Sequence, residues 1–322
     1  MQPEPTGDDI KAAYDAVAGR IRDAAEGCCV GRLKATTGPP AAEAPRRLPL
    51  VIAISKTKSA ACMLAAYHVA GIRVFGENYV QECVDKAPLL PADCRIHFVG
   101  HLQSNKVREL IRGCPQLSCI HSIDSVKLAT LVNKEVGEVT ETQRSRPIGE
   151  VLSGAATPSS VPTSSASQRL PVYVQLNTSF ETTKSGLNPN DPAALVAICR
   201  HIVERCPHLL FSGLMTIGNP DGETAVQDFD CLFHARDTVA AALGVPATSL
   251  ELSMGMSGDF ETAIRHGATV VRIGSAIFGS RAPRRHPPHV SSDAAPAALR
   301  SAASPATTAA AATQEAPARP SS

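Results

Sequence analysis

The sequence predicts a (β/α)8 barrel of the TIM type, preceded by one extra helix. Three observations carry this. Short runs rich in Val, Ile and Leu alternate with longer segments of helical period, eight of each, which is the pattern of βα units on a parallel sheet. The runs show no strict in–out alternation of polarity, so both faces of each strand are to be buried. No GxGxxG follows any run, which disfavours the competing fold, an open doubly wound sheet.

Residues 9–25 place Ile10, Tyr14, Val17 and Ile21 on one helical face, giving an amphipathic helix ahead of the first strand. Lys34 to Arg47 is rich in Pro, Ala and Thr and reads as a loop. The strands expected are Leu50–Ser55, Ile72–Phe75, Ile96–Val99, Leu117–Ser122, Val172–Asn177, Leu210–Ile217, Leu250–Ser253 and Val270–Ile273. Helical patterns follow at Ala60–Ala70, Tyr79–Ala87, Ser104–Ile111, Ser125–Val136, Pro192–Arg205, Thr224–Leu243 and Ser257–His266, with a short one from Ser275. Glu138–Arg169, rich in Ser, Thr, Pro and Ala, is expected to interrupt the barrel as a disordered insertion. The Pro/Ala/Ser-rich tail, residues 282–322, is expected to be disordered as well, leaving a barrel domain over 8–280.

Composition narrows the function classes. A formal net charge of +1 supplies no broad field for nucleic acid, and no apolar run is long enough to cross a bilayer. Residues 1–9 carry neither a secretory nor a mitochondrial presequence pattern, so a soluble intracellular protein is expected. The ten cysteines form no CxxC pair and point to reduced thiols. His97 and His101 would share one face of a strand with no second ligand pair nearby in sequence, so no metal is expected.

Ligands in barrels bind at the carboxyl ends of the strands. The residues there are Lys56, Gly76 to Asn78, His101, Asp124, Asn177, Met215 and Thr216, Ser253 to Ser257, and Arg272 to Ser275. Each has an ordinary structural reading: Asn78, Asn177 and Asp124 as helix caps, His101 as a loop histidine, the lysines as surface charges. The last two units are more specific. Ser253-Met254-Gly255-Met256-Ser257-Gly258-Asp259 and Arg272-Ile273-Gly274-Ser275 place small residues and hydroxyls where backbone N–H groups can cradle a phosphate. Arg272 alternates with Val270, so it faces the barrel interior, where a guanidinium needs a partner. A phosphate cradle, an interior arginine and a lysine at the end of strand one suit pyridoxal 5′-phosphate, an aldehyde that a lysine amine can capture. Lys56 continues the strand directly, while Lys58 lies further into the loop.

The segments Ile54–Lys58, Phe75–Glu82, His97–Gln103, Gly213–Ile217, Leu252–Ser257 and Val271–Gly279 together resemble, in order, the YggS/PROSC family of pyridoxal phosphate homeostasis proteins. The resemblance implies an alanine-racemase-like barrel with the cofactor as a Schiff base on Lys56. It also implies phosphate contacts from Ser257, Gly274 and Ser275, Arg272 facing the pyridine nitrogen, and Asn78, His101 and Met254 lining the pocket. Ser59 stands where a proline is common, Gly258 where an alanine is, and Ser275 where a threonine is. The implied role is intracellular cofactor homeostasis, in the cytoplasm or associated with mitochondria, with delivery to apo-enzymes and no established catalytic turnover.

The alternative is a pyridoxal-phosphate-dependent racemase or decarboxylase. Enzymes of that kind on this barrel carry a further β-domain that supplies a second acid or base. The ordered pattern here stops near Gly279, so no C-terminal β-domain is expected, the carrier is favoured, and a monomer or weak dimer suffices. A cofactor-free Schiff-base aldolase would use the same lysine, but gains nothing from the motifs.

Overall fold

The computed structural model describes residues 4–27, 48–144, 169–219 and 224–279. All eight strands form: β1 Leu50–Ile54, β2 Val74–Glu77, β3 Arg95–Phe98, β4 Leu117–Ile123, β5 Leu170–Leu176, β6 Leu209–Thr216, β7 Glu251–Ser253 and β8 Val270–Ile273. Each runs parallel to its neighbours, and β8 pairs with β1 to close the barrel in sequence order. That closure excludes the doubly wound alternative.

Alternation along each strand splits the apolar side chains into two cores. Ile52, Cys119, Tyr173, Met215 and Val270 fill the barrel interior, whereas Ala53, Val271 and Ile273 face the surrounding helices. The same alternation turns Arg272 inward, two residues after Val270.

The helices are α1 Gly7–Gly27, α2 Ala60–Val69, α3 Val80–Lys86, α4 Val107–Gly113, α5 Val126–Arg144, α6 Pro192–Arg205, α7 Ala225–Leu243, α8 Phe260–Arg265 and α9 Ser275–Phe278. A reciprocal cap between Thr6 and Asp9 starts α1. Ile10, Val17, Ile21 and Ala24 bury its apolar face against α2, α8 and α9. Each large aliphatic so buried contributes about 1.5–3 kcal/mol. Arg20 fixes the helix azimuth, with Nε and Nη2 each 2.8 Å from a Glu261 carboxylate oxygen and its guanidinium over the Phe260 ring. Ser59 caps α2 by accepting the Cys62 N–H at 3.1 Å, which gives that residue a role a proline could not fill.

Four of the boundary differences from the sequence reading have a visible physical cause. β2 lies two residues later than expected and includes Gly76 and Glu77, because buried Glu77 is neutralised by Lys86 on α3. Ser125, not Asp124, caps α5 by accepting the Leu128 N–H. That helix runs to Arg144, so the segment expected to be disordered from Glu138 begins helical. Arg112 and Lys134 pair with Glu138, and the Thr140 hydroxyl bonds the Val136 carbonyl. Finally, α8 starts at Phe260, because Asp259 accepts the Met256 N–H at 2.6 Å and holds 256–259 as a turn. The expected loop at 34–47, the rest of the insertion (145–168) and the tail (282–322) lie outside the described residues.

Candidate functional site

A cavity of about 380 Å³ opens at the carboxyl ends of the strands. Six of the eight residues singled out from the sequence line it: Lys56, Asn78, Ser257, Arg272, Gly274 and Ser275. His101 does not. It is 53% exposed, 3.8 Å from Asp124. Met254 is fully buried in the outer core, and Met256, two residues on, lines the cavity instead.

Both lysines at the end of β1 reach the cavity. The Lys58 ammonium donates to the Phe278 carbonyl at 2.8 Å, which ties it to the wall. Lys56 follows buried Ser55 directly and precedes Thr57, whose φ of 67° bends the chain at the strand end.

The Ser257 hydroxyl accepts from the Gly274 N–H at 3.1 Å and the Ala276 N–H at 3.3 Å. This brings the β7–α8 loop and the β8–α9 turn together around one cluster of donors. Ser257 lies outside α8 and α9 is a single turn, so amides and hydroxyls supply the polarity, and not helix dipoles. Gly100 supports the same wall: a Cβ there would lie 2.0 Å from the Asn78 backbone oxygen. Asn78 Oδ1 is buried without a hydrogen-bond partner.

Arg272 is 4% exposed, and its Nη1 donates to the Ser253 hydroxyl at 2.9 Å and its Nη2 to the Thr216 carbonyl at 2.7 Å. Burial pushes its pKa down to about 10, with Asp259 pulling the other way, so it remains a cation at neutral pH. Arg272 can only donate, so of the two side chains bonded to the buried Ser253 hydroxyl, only His121, with Nδ1 3.0 Å away, can take its proton. His121 is then the Nε2–H tautomer and donates to His97 Nδ1 at 3.0 Å. Burial lowers the pKa of both histidines, that of His97 to about 4, which keeps the chain neutral beyond Arg272. The His121 ring stacks on Tyr173 at 4.2 Å.

His97 therefore meets His121 and Cys119 across the β3–β4 pair, and not His101 as its sequence spacing suggested. These three are the one His/Cys group among the described residues close enough to ligate an ion. A proton already occupies the space between the two imidazoles, and His121 is satisfied on both nitrogens. Asn177 is neither a cap nor a wall of the cavity; its amide donates to the Glu181 and Lys184 carbonyls and shapes the loop after β5.

Sequence reasoning missed Lys86, His121 and the use of Asp259. Two signals were present: Lys86 sits four residues after Glu82 on α3, and His121 alternates with Cys119 on the inward face of β4.

Comparison with known proteins agrees with this architecture. The family described as "Alanine racemase, N-terminal domain" matches residues 42–282. The pyridoxal phosphate homeostasis protein of Bos taurus is 42% identical over 252 residues, covering 74% of this chain and 81% of that one. The structure of PipY from Synechococcus elongatus with PLP bound superposes with a TM-score of 0.53 at 31% identity, covering 72% of this chain and 92% of that one. Alanine racemase from Bartonella henselae shares the fold at 14% identity and a TM-score of 0.54, with 85% of this chain and 59% of that one covered. On the family match and the extent of its likeness to curated relatives, this chain belongs to the family of the pyridoxal phosphate homeostasis proteins.

Proposed function

We propose that this protein binds pyridoxal 5′-phosphate at Lys56 and holds it for delivery to apo-enzymes, with no turnover of its own. One observation carries the reading: Lys56, Arg272, Ser257 and the Gly274–Ser275 turn, from three separate strand ends, line a single cavity. Its volume of about 380 Å³ falls in the range of small-ligand sites. The donor set suits the cofactor. A phosphate finds the Ser257 and Ser275 hydroxyls, the first oriented by the Gly274 and Ala276 amides, and the orphaned Asn78 Oδ1 offers an acceptor to a ring hydroxyl.

When bound, pyridoxal phosphate supplies an aldehyde that condenses with a primary amine, releasing water to form an imine. Lys56 is the amine, since it stands nearer the end of β1 than Lys58 and lines the cavity. Arg272 donates and cannot accept, so it would hold a pyridine nitrogen as a hydrogen-bond acceptor and would disfavour its protonation, which would weaken the ring as an electron sink. That favours holding over turnover. Racemisation or decarboxylation further needs an acid/base group at the substrate, and among the described cavity residues there is no Tyr, His or Cys. The carboxyl there, Asp259, is engaged by the Met256 N–H.

The setting proposed is the cytoplasm. All eight described cysteines are free thiols, as a reducing compartment requires. No helix among the described residues is long and apolar enough to cross a membrane. In solution the chain is expected as a monomer or weak dimer.

The deciding experiment loads the protein with pyridoxal phosphate and follows its imine absorbance on adding an apo-enzyme acceptor. Transfer of absorbance and gain of acceptor activity support the carrier. Measurable turnover of alanine or another common amino acid, without transfer, supports the enzyme.

A further inference from the structure

The turn that carries Lys56 has a backbone its sequence does not favour. Thr57 is β-branched, yet its φ of 67° lies in the left-handed region that such side chains rarely adopt. A strained residue of this kind persists only where its surroundings hold it.

The holding group is a charge cluster between β2 and α3. The Lys86 ammonium, on a side chain 9% exposed, donates to Glu77 at 2.8 Å, Glu82 at 2.6 Å and the Ser55 carbonyl at 3.1 Å. Glu77, wholly buried, accepts the Ser55 hydroxyl at 2.7 Å. Glu82 accepts the Thr57 N–H at 2.8 Å. The residues immediately before and after Lys56 are thus fastened to one cluster, Ser55 through Glu77 and Lys86, and Thr57 through Glu82.

The charges agree with such a clamp. Burial raises the Glu77 pKa while Lys86 draws it back, and the two carboxylates outweigh the burial of Lys86 and keep it an ammonium. A buried ion cluster is a weak source of stability, because desolvation offsets most of the attraction. Fixed direction is what it supplies that an apolar contact would not.

On the reading that Lys56 receives pyridoxal phosphate, we infer that Glu77, Glu82 and Lys86 are positioning residues that hold the Ser55–Thr57 turn so that the Lys56 amine faces the cavity. They touch no reacting atom. They act by limiting the orientations of the one side chain between their two anchor points.

Glu82 is the residue to test, because it is the most exposed of the three and its loss leaves the Glu77–Lys86 pair in place. In the ligand-free full chain, Glu82→Ala is expected to speed amide hydrogen exchange at residues 56–58 about tenfold, the effect of losing one charge-assisted hydrogen bond. The loaded protein is expected to bind pyridoxal phosphate about tenfold more weakly by imine absorbance and borohydride trapping, with its melting temperature little changed. Glu82→Gln, whose amide oxygen can still accept from Thr57, is expected to restore most of both.

Wild-type exchange and wild-type affinity in Glu82→Ala would overturn the clamp. An equal loss in Glu82→Gln would assign the effect to charge alone and overturn it too. If the wild-type protein takes no pyridoxal phosphate, the Lys56 reading fails, and the exchange measurement still decides the clamp.

Discussion

Arg272 and Ser253 sit 2.9 Å apart inside the barrel, and the serine hydroxyl that receives the guanidinium also binds His121. One hydroxyl thus holds an arginine at the cavity and sets the tautomers of two histidines beneath it. Ser253→Ala removes both bonds and leaves buried polar atoms unpartnered on each side. A loss of about 2–4 kcal/mol in urea unfolding is expected, from two such groups. The imine absorbance of the loaded protein should shift as Arg272 relaxes. An unchanged spectrum together with unchanged stability would contradict the arrangement.

Lys56→Ala should abolish borohydride-stable attachment of pyridoxal phosphate, whereas Lys58→Ala should keep most of it. Peptide mapping of the reduced protein reads the difference directly. The reverse result would move the amine to Lys58, which also lines the cavity.

Acid should weaken the fold before the bulk of its carboxylates titrate. Burial lowers the His97 pKa to about 4, below the ordinary histidine value of 6.5, and His121 is lowered for the same reason. Between those two values the unfolded chain binds more protons than the folded one, so stability is full above pH 6.5 and falls as pH drops toward 4. For His97 the loss approaches about 3 kcal/mol, at roughly 1.4 kcal/mol per unit. Urea midpoints at pH 7, 5.5 and 4.5 check this, and a His97→Leu, His121→Leu double variant should flatten the slope over that window.

Gly100→Ala should damage both the fold and the cavity. The new Cβ would stand 2.0 Å from the Asn78 backbone oxygen, a clash no rotamer relieves. A destabilisation of about 3 kcal/mol or more is expected, with weaker pyridoxal phosphate binding in whatever fraction folds. A thermal melt and an absorbance titration separate the two effects.

Much of this protein could be read along its chain. Strands buried on both faces are continuous apolar runs, so all eight appear within a few residues of their true positions. β2 was displaced because Gly76-Glu77 looks like a loop until Lys86 is seen, nine residues on, neutralising the carboxylate. Lys56, Ser257, Arg272 and Gly274–Ser275 were legible because strand ends in a barrel share one mouth. His101 and Met254 were drawn to the cavity by the same rule, yet their side chains do not line it, since that depends on loop conformation and not on order in the chain.

By itself the sequence determined the barrel, the lysine-bearing strand end and the inward arginine, because each follows from local period and spacing. Only the closed tertiary structure decided that Ser253 meets His121, 132 residues away, and that Lys86 and Glu82 anchor the two flanks of Lys56. Those contacts depend on which neighbouring strands and helices meet at which level, and a hydrogen bond forms only when that register brings its atoms to about 3 Å.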